Sequence, residues 1–256
     1  MPRISIVLPT HNQARYLPQA LDGIAGQTCR DFELIVVDDG STDETPQVLA
    51  DYRRRLPFEL IRQENRGLPA ALNAGFPRAA GEYLTWTSSD NIMLPRMLER
   101  LAGELDRSPD VGMVYSDWYD IDDQGRVLRE VRTLDHDPVV LLRHNYVRAS
   151  FMYRSRCRDE GGDYDPRTKY KEDHDYWLRI ARRWPLKRVS DALYKYRIHA
   201  DSLSRARGDA DLERAQANRV FHAQHRAPRP LLWWYAKQKW RWAKLTHFLR
   251  GREIPR

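Results

Sequence analysis

Three apolar, β-rich runs in this chain each break off in a polar cluster, and that pattern narrows the possible folds more than any other feature. Ile4-Ser5-Ile6-Val7-Leu8 runs into Pro9-Thr10-His11-Asn12, Phe32-Glu33-Leu34-Ile35-Val36-Val37 into Asp38-Asp39-Gly40-Ser41, and Tyr83-Leu84-Thr85-Trp86-Thr87 into Ser88-Ser89-Asp90-Asn91. Short unbroken runs of β-branched and aromatic residues predict buried strands. Helical patterns separate them. Tyr16, Leu17, Ala20, Leu21 and Ile24 recur at helical spacing up to Gly26, Ser41 with Glu44 has the form of a capping box for a second helix, and Leu68 to Ala80 reads as a third. Phe58 to Ile61 is a further short strand, and a helix starts near Pro95. Strands alternating with helices predict a parallel, doubly wound α/β sheet.

In such a sheet the carboxyl ends of the strands share one edge, which is where open α/β sheets bind ligands. Thr10 and Asn12, Asp38 and Asp39, and Ser89 and Asp90 would then meet on one rim. Each could instead cap the helix that follows it, Asp90 especially. Three clusters on one rim favour a ligand site over three independent caps.

The chemistry is narrowed by exclusion. No glycine-rich dinucleotide fingerprint follows the first strand, and no Walker A, nucleophile-elbow or zincin pattern occurs. Acids and hydroxyls without His/Cys clusters suit a hard cation, Mg2+ or Mn2+, of the kind that bridges carboxylates to a diphosphate. Cys29 and Cys157 form neither a disulfide framework nor a metal-binding spacing, which fits a reducing compartment. No run approaches the roughly 20 apolar residues of a spanning helix, and the start does not read as a secretory signal, so a cytoplasmic location is expected. At 256 residues the chain suits one large domain, or one with a C-terminal extension. The net charge of +7 is uneven: from Arg226 to Arg256 nine Lys/Arg stand against Glu253 alone, leaving the rest close to neutral.

Ser5–Asn12, Gln27-Thr28, Phe32–Asp43 and Glu64-Asn65-Arg66-Gly67-Leu68 resemble, in order and spacing, family 2 glycosyltransferases of the GT-A fold. Gly81–Pro95 is similar to the metal-binding region of that family, particularly of its spore-coat polysaccharide member. Glu172–Arg179 is similar to its acidic catalytic motif, and Tyr196–Ser204 to its closing segment. The resemblance covers about residues 3–205 and implies a GT-A (Rossmann-like), mostly parallel sheet flanked by helices. It implies a nucleotide-binding half over 1–110 and an acceptor and catalytic half over 111–205; beyond it, residues 206–256 read as a basic, aromatic helical tail.

The same resemblance implies roles. Pro9 and Thr10 line the nucleotide pocket with Asn12 and Ser89, and Asp39 bonds the base. Asp38 either joins it or orders the loop, and Arg66 lies near the nucleotide or in solvent. Asp90 holds Mn2+ or Mg2+. The family usually offers two carboxylates there, whereas this chain has Ser88-Ser89-Asp90. His199 is a late metal or diphosphate contact, or a hydrogen-bonded loop histidine. Asp173 is the base that takes the acceptor proton, Glu172 positions the acceptor, and direct displacement inverts the anomeric carbon. The donor is a nucleoside-diphosphate sugar, with UDP favoured, and the acceptor a glycan or lipid-linked hydroxyl. On the residues alone, Glu172 and Asp173 could simply be first-turn acids of a helix whose stripe is Tyr176, Trp177, Ile180, Ala181 and Trp184.

Val111–Tyr115 predicts another strand, Asp122-Asp123-Gln124-Gly125 a turn, and Gly161–Pro166 a mobile loop. In the tail, a helix from Leu231 to about Arg250 would gather Leu231, Trp234, Tyr235, Trp242, Leu245, Phe248 and Leu249 on one face. Tryptophans beside lysines and arginines suit an anionic membrane surface, the inner face in a cytoplasmic protein. The same face could pack on its own domain or on a second subunit. Two rival functions follow: nucleic-acid binding through the basic tail, against which no nucleic-acid module is found, and an inactive sugar-nucleotide-binding homologue, against which Glu172-Asp173 is retained.

Overall fold

The structure is a computed structural model that describes residues 1–199, 220–222 and 224–225. The expected tail helix, with its membrane or subunit contacts, lies outside the described residues. Within them the strands are β1 (Ile4–Thr10), β2 (Phe32–Asp39), β3 (Glu59–Gln63), β4 (Tyr83–Trp86), β5 (Ile92–Met93), β6 (Met113–Ile121), β7 (Val127–Val131), β8 (Phe151–Arg154) and β9 (Leu186–Arg197). The helices are α1 (Leu17–Ala25), α2 (Thr45–Tyr52), α3 (Leu68–Gly75), α4 (Met97–Arg107), α5 (Pro138–Leu141), α6 (Ser155–Gly161) and α7 (Glu172–Ala181).

One sheet runs β3-β2-β1-β4-β8-β6-β9-β5, with β7 paired to β6. Its first four strands are parallel, and β1 sits between β2 and β4 in a register that sets Thr10 beside Asp38 and Val7 beside Trp86. β8 is antiparallel to both β4 and β6, and β6 is parallel to β9. The carboxyl ends of β1, β2, β4, β6 and β9 and the amino end of β8 therefore all lie along one rim. The mixed second half explains why alternating strand and helix patterns fade after residue 110.

The two-residue strand period sorts the core. Ile4, Ile6 and Leu8, with Leu34 and Val36, face α1, α2 and α4; Val7, Ile35 and Val37 face α3 and α7. Met97, Leu98, Leu101, Ala102 and Leu105 form the buried stripe of α4. On the other face Phe151, Tyr153, Tyr164, Tyr176 and Trp177 interlock, with Tyr164 stacked on Tyr176 at 4.1 Å.

Four local expectations are corrected. The Ser41/Glu44 capping box does not form: α2 has no side-chain cap, and Ser41 Oγ accepts the Asn12 amide at 3.0 Å instead. Asp43 does the local work, its Oδ1 accepting Thr45 N–H at 2.9 Å. The helix expected to reach Ala80 stops at Gly75 and continues as one 3-10 turn, Phe76–Arg78, because Pro77 has no N–H and its ring crowds the turn behind it. Between Asp90 and the next helix the chain first makes β5, and α4 begins only at Met97. The segment 161–166, expected to be mobile, is pinned: Asn73 brackets the backbone of Tyr164 with two 2.8 Å bonds, and the Tyr164 ring is buried.

At the entrance to β4 the backbone of Gly81 lies against β1. Gly81 N–H donates to Ser5 Oγ at 2.8 Å, Ser5 Oγ donates to Glu33 Oε1 at 2.5 Å, and Ala80 N–H reaches the same carboxylate at 2.7 Å. A Cβ on Gly81 would fall 2.6 Å from Ser5 N and 2.8 Å from the Ile4 carbonyl carbon, both backbone atoms. Gly81→Ala is therefore expected to lower unfolding free energy by about 1–3 kcal/mol, read from the urea midpoint.

Candidate active site

Beyond β1 and β2 the rim is built from loops that acids and amides tie together. Asp39, buried, accepts Gln63 Nε2 at 2.7 Å and Arg66 N–H at 2.9 Å on Oδ1, and Gly67 N–H at 2.8 Å on Oδ2. Its carboxylate thus fixes the loop into α3, where Gly67 has φ +84°. Gly40, at φ +76°, brings the chain so close to this loop that a Cβ would meet Asn65 N at 2.7 Å. Asp38 accepts Ser41 N–H at 3.0 Å and orders its own turn, with Arg62 3.8 Å from it. Asn12, at φ +52°, accepts Thr42 N–H at 2.8 Å and Asp43 N–H at 3.3 Å, so it shapes the loop after β2. The Arg66 side chain is exposed, and Thr10 Oγ1 is buried without a hydrogen-bond partner among the described residues.

His11 joins these loops and was not singled out from sequence. Its Nδ1 is 2.8 Å from the Asp39 carbonyl, which can only accept, so Nδ1 carries the proton. Nε2 is then the acceptor for Asn65 Nδ2 at 3.0 Å. The motif pair Gln27-Thr28 is scaffold: Gln27 donates to the Gly23 and Leu94 carbonyls at 2.9 and 2.8 Å and accepts Leu98 N–H at 3.0 Å, capping α4 in the place expected of Asp90.

Asp90 instead turns toward His199. Asp90 Oδ2 lies 3.0 Å from His199 Nε2, and Asp90 Oδ1 is buried with no partner among the described residues. An oxygen and a nitrogen 3.0 Å apart match neighbouring corners of an octahedron with bonds of about 2.1 Å, so the pair fits a hard divalent cation. No group of three or more His, Cys, Asp or Glu suited to a metal occurs among the described residues. A cation here would complete its shell with donor oxygens and water.

What places Asp90 is Arg197, fully buried and not anticipated as a site residue. Its Nε donates to the Asp90 carbonyl at 2.8 Å, NH1 to the Asp122 and Asp123 carbonyls at 3.0 and 2.9 Å, and NH2 to Gln19 Oε1 at 2.6 Å. Its backbone N–H bonds Asn91 Oδ1 at 2.8 Å, and the guanidinium lies over Tyr16, which also meets the His199 ring at 4.8 Å. Asp122-Asp123-Gln124-Gly125 is the turn read from sequence, and through Arg197 it braces the site.

The third cluster sits at the amino end of α7. Three acids lie in its first turn, and their partners separate them. Asp175 is paired with Arg179 at 3.0 Å and His225 at 2.6 Å. Arg182 donates to His225 Nδ1 at 2.9 Å, so His225 presents its Nε2–H to Asp175. Glu172 is buried, its Oε2 has no partner among the described residues, and burial with the neighbouring Asp173 charge raises its pKa. Asp173 is half-buried and also raised by burial, opposed by bonds from His174 N–H to Oδ1 and Asn145 Nδ2 to Oδ2, both 2.6 Å. His174 is no base: it donates to the Leu141 carbonyl at 2.5 Å, and burial pushes its pKa down to about 3. Asn145, just before β8, brings the rim to Asp173.

A curled, mostly parallel α/β sheet flanked by helices has the GT-A architecture. The computed model superposes on S. aureus TarS in complex with UDP-GlcNAc at a TM-score of 0.70, with 19% identity over 86% of this chain and 66% of that one. The mannosyltransferase PcManGT of Pyrobaculum calidifontis, in complex with GDP-Man and Mn2+, superposes at 0.67, with 20% identity over 92% of this chain and 69% of that one. The chain belongs to Glycosyl transferase family 2, whose sequence model matches residues 5–175. An uncharacterized glycosyltransferase of Rickettsia prowazekii is 31% identical over 209 residues, 78% of this chain and 65% of its own length. The chain spans between 35% and 65% of the length of the first curated relatives it matches.

The Arg197 network makes a direct prediction. Arg197→Met would take the donor from four acceptors on three segments and leave a buried site without its polar group, and is expected to lower stability by about 2–4 kcal/mol. Divalent-ion binding should weaken with it, which titration calorimetry with Mn2+ and a nucleoside diphosphate would read.

Proposed function

We propose that the chain transfers a sugar from a nucleoside-diphosphate sugar to an acceptor hydroxyl with inversion, using Mn2+ or Mg2+. The observation that carries the reading is the unpartnered buried oxygen of Asp90 beside His199, on the same rim as the acidic end of α7. TarS and PcManGT, with UDP-GlcNAc and with GDP-Man and Mn2+, support the donor class. A glycan or lipid-linked acceptor is part of this proposal; no helix among the described residues is long and apolar enough to cross a membrane.

Asp90 and His199 would hold the cation, which when bound offsets charge on the departing diphosphate. Thr10, with its orphaned hydroxyl, lines the nucleotide pocket with Pro9, Asn12 and Ser89, and Arg66 borders it. Asp38 orders the loop, and Asp39 reads the base. A carboxylate has about four acceptor positions, and Asp39 already fills three, two on Oδ1 and one on Oδ2. One donor can still be accepted, which suits the single N–H of uracil better than the adjacent N–H groups of guanine. That supports a UDP-sugar. At the other side Asp173 takes the acceptor proton as the hydroxyl oxygen bonds the anomeric carbon. The bond from that carbon to the diphosphate breaks, and its electron pair leaves with the nucleotide. Glu172 orients the acceptor beside it.

Asp173→Asn keeps the shape and removes the basicity, so donor binding by thermal shift should persist while nucleoside-diphosphate release falls about 10²–10⁴-fold. Turnover close to wild type would remove Asp173 from the role. In the same assay UDP should raise the melting temperature more than GDP, and Asp39→Ala should abolish that difference.

A further inference from the structure

Asn145 has no assigned part in the reaction, yet it is the side chain best placed to control Asp173. We infer that Asn145 is a positioning residue whose amide aims the Asp173 carboxylate and keeps it unprotonated for proton abstraction. This rests on the reading of Asp173 as the base.

The orientation of the amide is fixed by the chain itself. Asn145 Oδ1 accepts the backbone N–H of Arg148 at 3.2 Å, closing a turn in which Arg148 takes φ +58°. With the oxygen used there, the nitrogen is the atom that meets Asp173 Oδ2 at 2.6 Å. An exchange of the two amide atoms would set oxygen against carboxylate and nitrogen against N–H, losing both bonds. The turn in turn is held from both sides. Tyr146 and Val147 are buried, Tyr146 O accepts Thr133 Oγ1, and Tyr146 Oη donates to the Asp137 carbonyl at 3.0 Å and accepts Asp137 N–H at 2.9 Å. Ser150 then bonds β6 at 2.5 Å through Ser116 Oγ, just before β8. Asn145 therefore enters the site from a rigid frame, not from a loose loop.

The charge balance shows what such a donor does. Burial opposes the ionisation of Asp173 and Arg148 favours it, while Glu172, Lys171 and Tyr164, the last on the loop before α7, all lie close enough to feel its charge. A hydrogen bond given to the charged form favours that form. The Asn145 amide and the His174 N–H leave one outward acceptor position on each Asp173 oxygen. An acceptor hydroxyl can be met there without breaking either bond.

Selective carboxyl labelling of aspartate, with the Asp173 signal assigned by its loss in Asp173→Asn, gives the ionisation midpoint without substrate. Asn145→Ala should raise that midpoint by about one pH unit, a tenfold change in proton affinity. Asn145→Asp keeps the shape and the acceptor for Arg148 N–H but replaces the donor by a second carboxylate, and should raise it further. The acid limb of kcat for nucleoside-diphosphate release should move by the same amount, with the KM for donor unchanged. Should Asn145→Ala fail to fold, the isosteric Asn145→Asp carries the test. An unmoved midpoint and acid limb in a folded variant, with active wild type, would overturn this inference alone. A shifted midpoint in a wild type that turns over no donor would overturn the base assignment and this inference with it.

Discussion

A guanidinium with no access to solvent must find its acceptors inside the protein, and Arg197 finds them on three segments far apart in sequence. Its bonds reach Gln19 on α1, 178 positions away, the carbonyl of Asp90 after β4, and the turn between β6 and β7. Desolvating that charge is tolerable because four of its five N–H groups meet an oxygen and an aromatic face covers the plane. The consequence reaches beyond stability. The backbone carrying Asp90 is held by the charge, so its carboxylate is set in place before any ligand arrives. The 12-residue length of β9 serves this geometry, because it carries Arg197 past the end of its neighbour's first ladder to the rim.

Acids are abundant along that rim, and their hydrogen bonds divide them by role. Asp38, Asp39 and Asp43 accept backbone amides of the loops around them, and Asp175 holds Arg179 and His225. These carboxylates shape the site. Asp90 and Glu172 are different, since each keeps one buried oxygen with no partner among the described residues. A buried polar atom left unmatched costs about 1–3 kcal/mol, and a fold keeps such a cost where a ligand can offset it. The two orphaned oxygens set Asp90 and Glu172 apart from the acids whose oxygens the protein itself engages, a distinction residue type alone does not make.

What could be read from sequence follows from how far each signal reaches. The strand ends Thr10, Asp38 and Asp90 were legible because strand periodicity is local and parallel topology forces such ends onto one edge. So was the helix at Glu172, with acids first and an aromatic stripe behind. Arg197 was not, although it stands two positions before His199, because nothing local tells a buried arginine from a solvated one. Asn145 was hidden for a related reason: its meaning lies in a residue 28 positions on and in a left-handed turn at Arg148 that the sequence does not announce. The Ser41/Glu44 box shows the opposite failure. Its spacing was right for a cap, but α2 begins only at Thr45, so Ser41 lies three residues before the N-cap and its hydroxyl accepts the Asn12 amide instead.

The end of α7 sets two requirements against each other. A base must be ionised, and the positive end of the helix with the amides of Asn145 and His174 helps Asp173 to be so. Burial works the other way on both acids, and Glu172, the more deeply buried and next to the Asp173 charge, is the one whose proton is held. A carboxyl whose folded pKa lies above its unfolded value binds a proton that the unfolded chain releases. Its contribution to stability is therefore complete at low pH and is lost as pH rises past the ordinary glutamate value toward the raised one. With Asp173 as the proposed base, activity would move in the opposite sense, growing with pH as Asp173 ionises. Two adjacent acids in one turn thus become unequal: one keeps its proton, and the other, the proposed base, stays able to take one. Burial sets Glu172 apart, and the bonds from the His174 N–H and the Asn145 amide reach Asp173 alone.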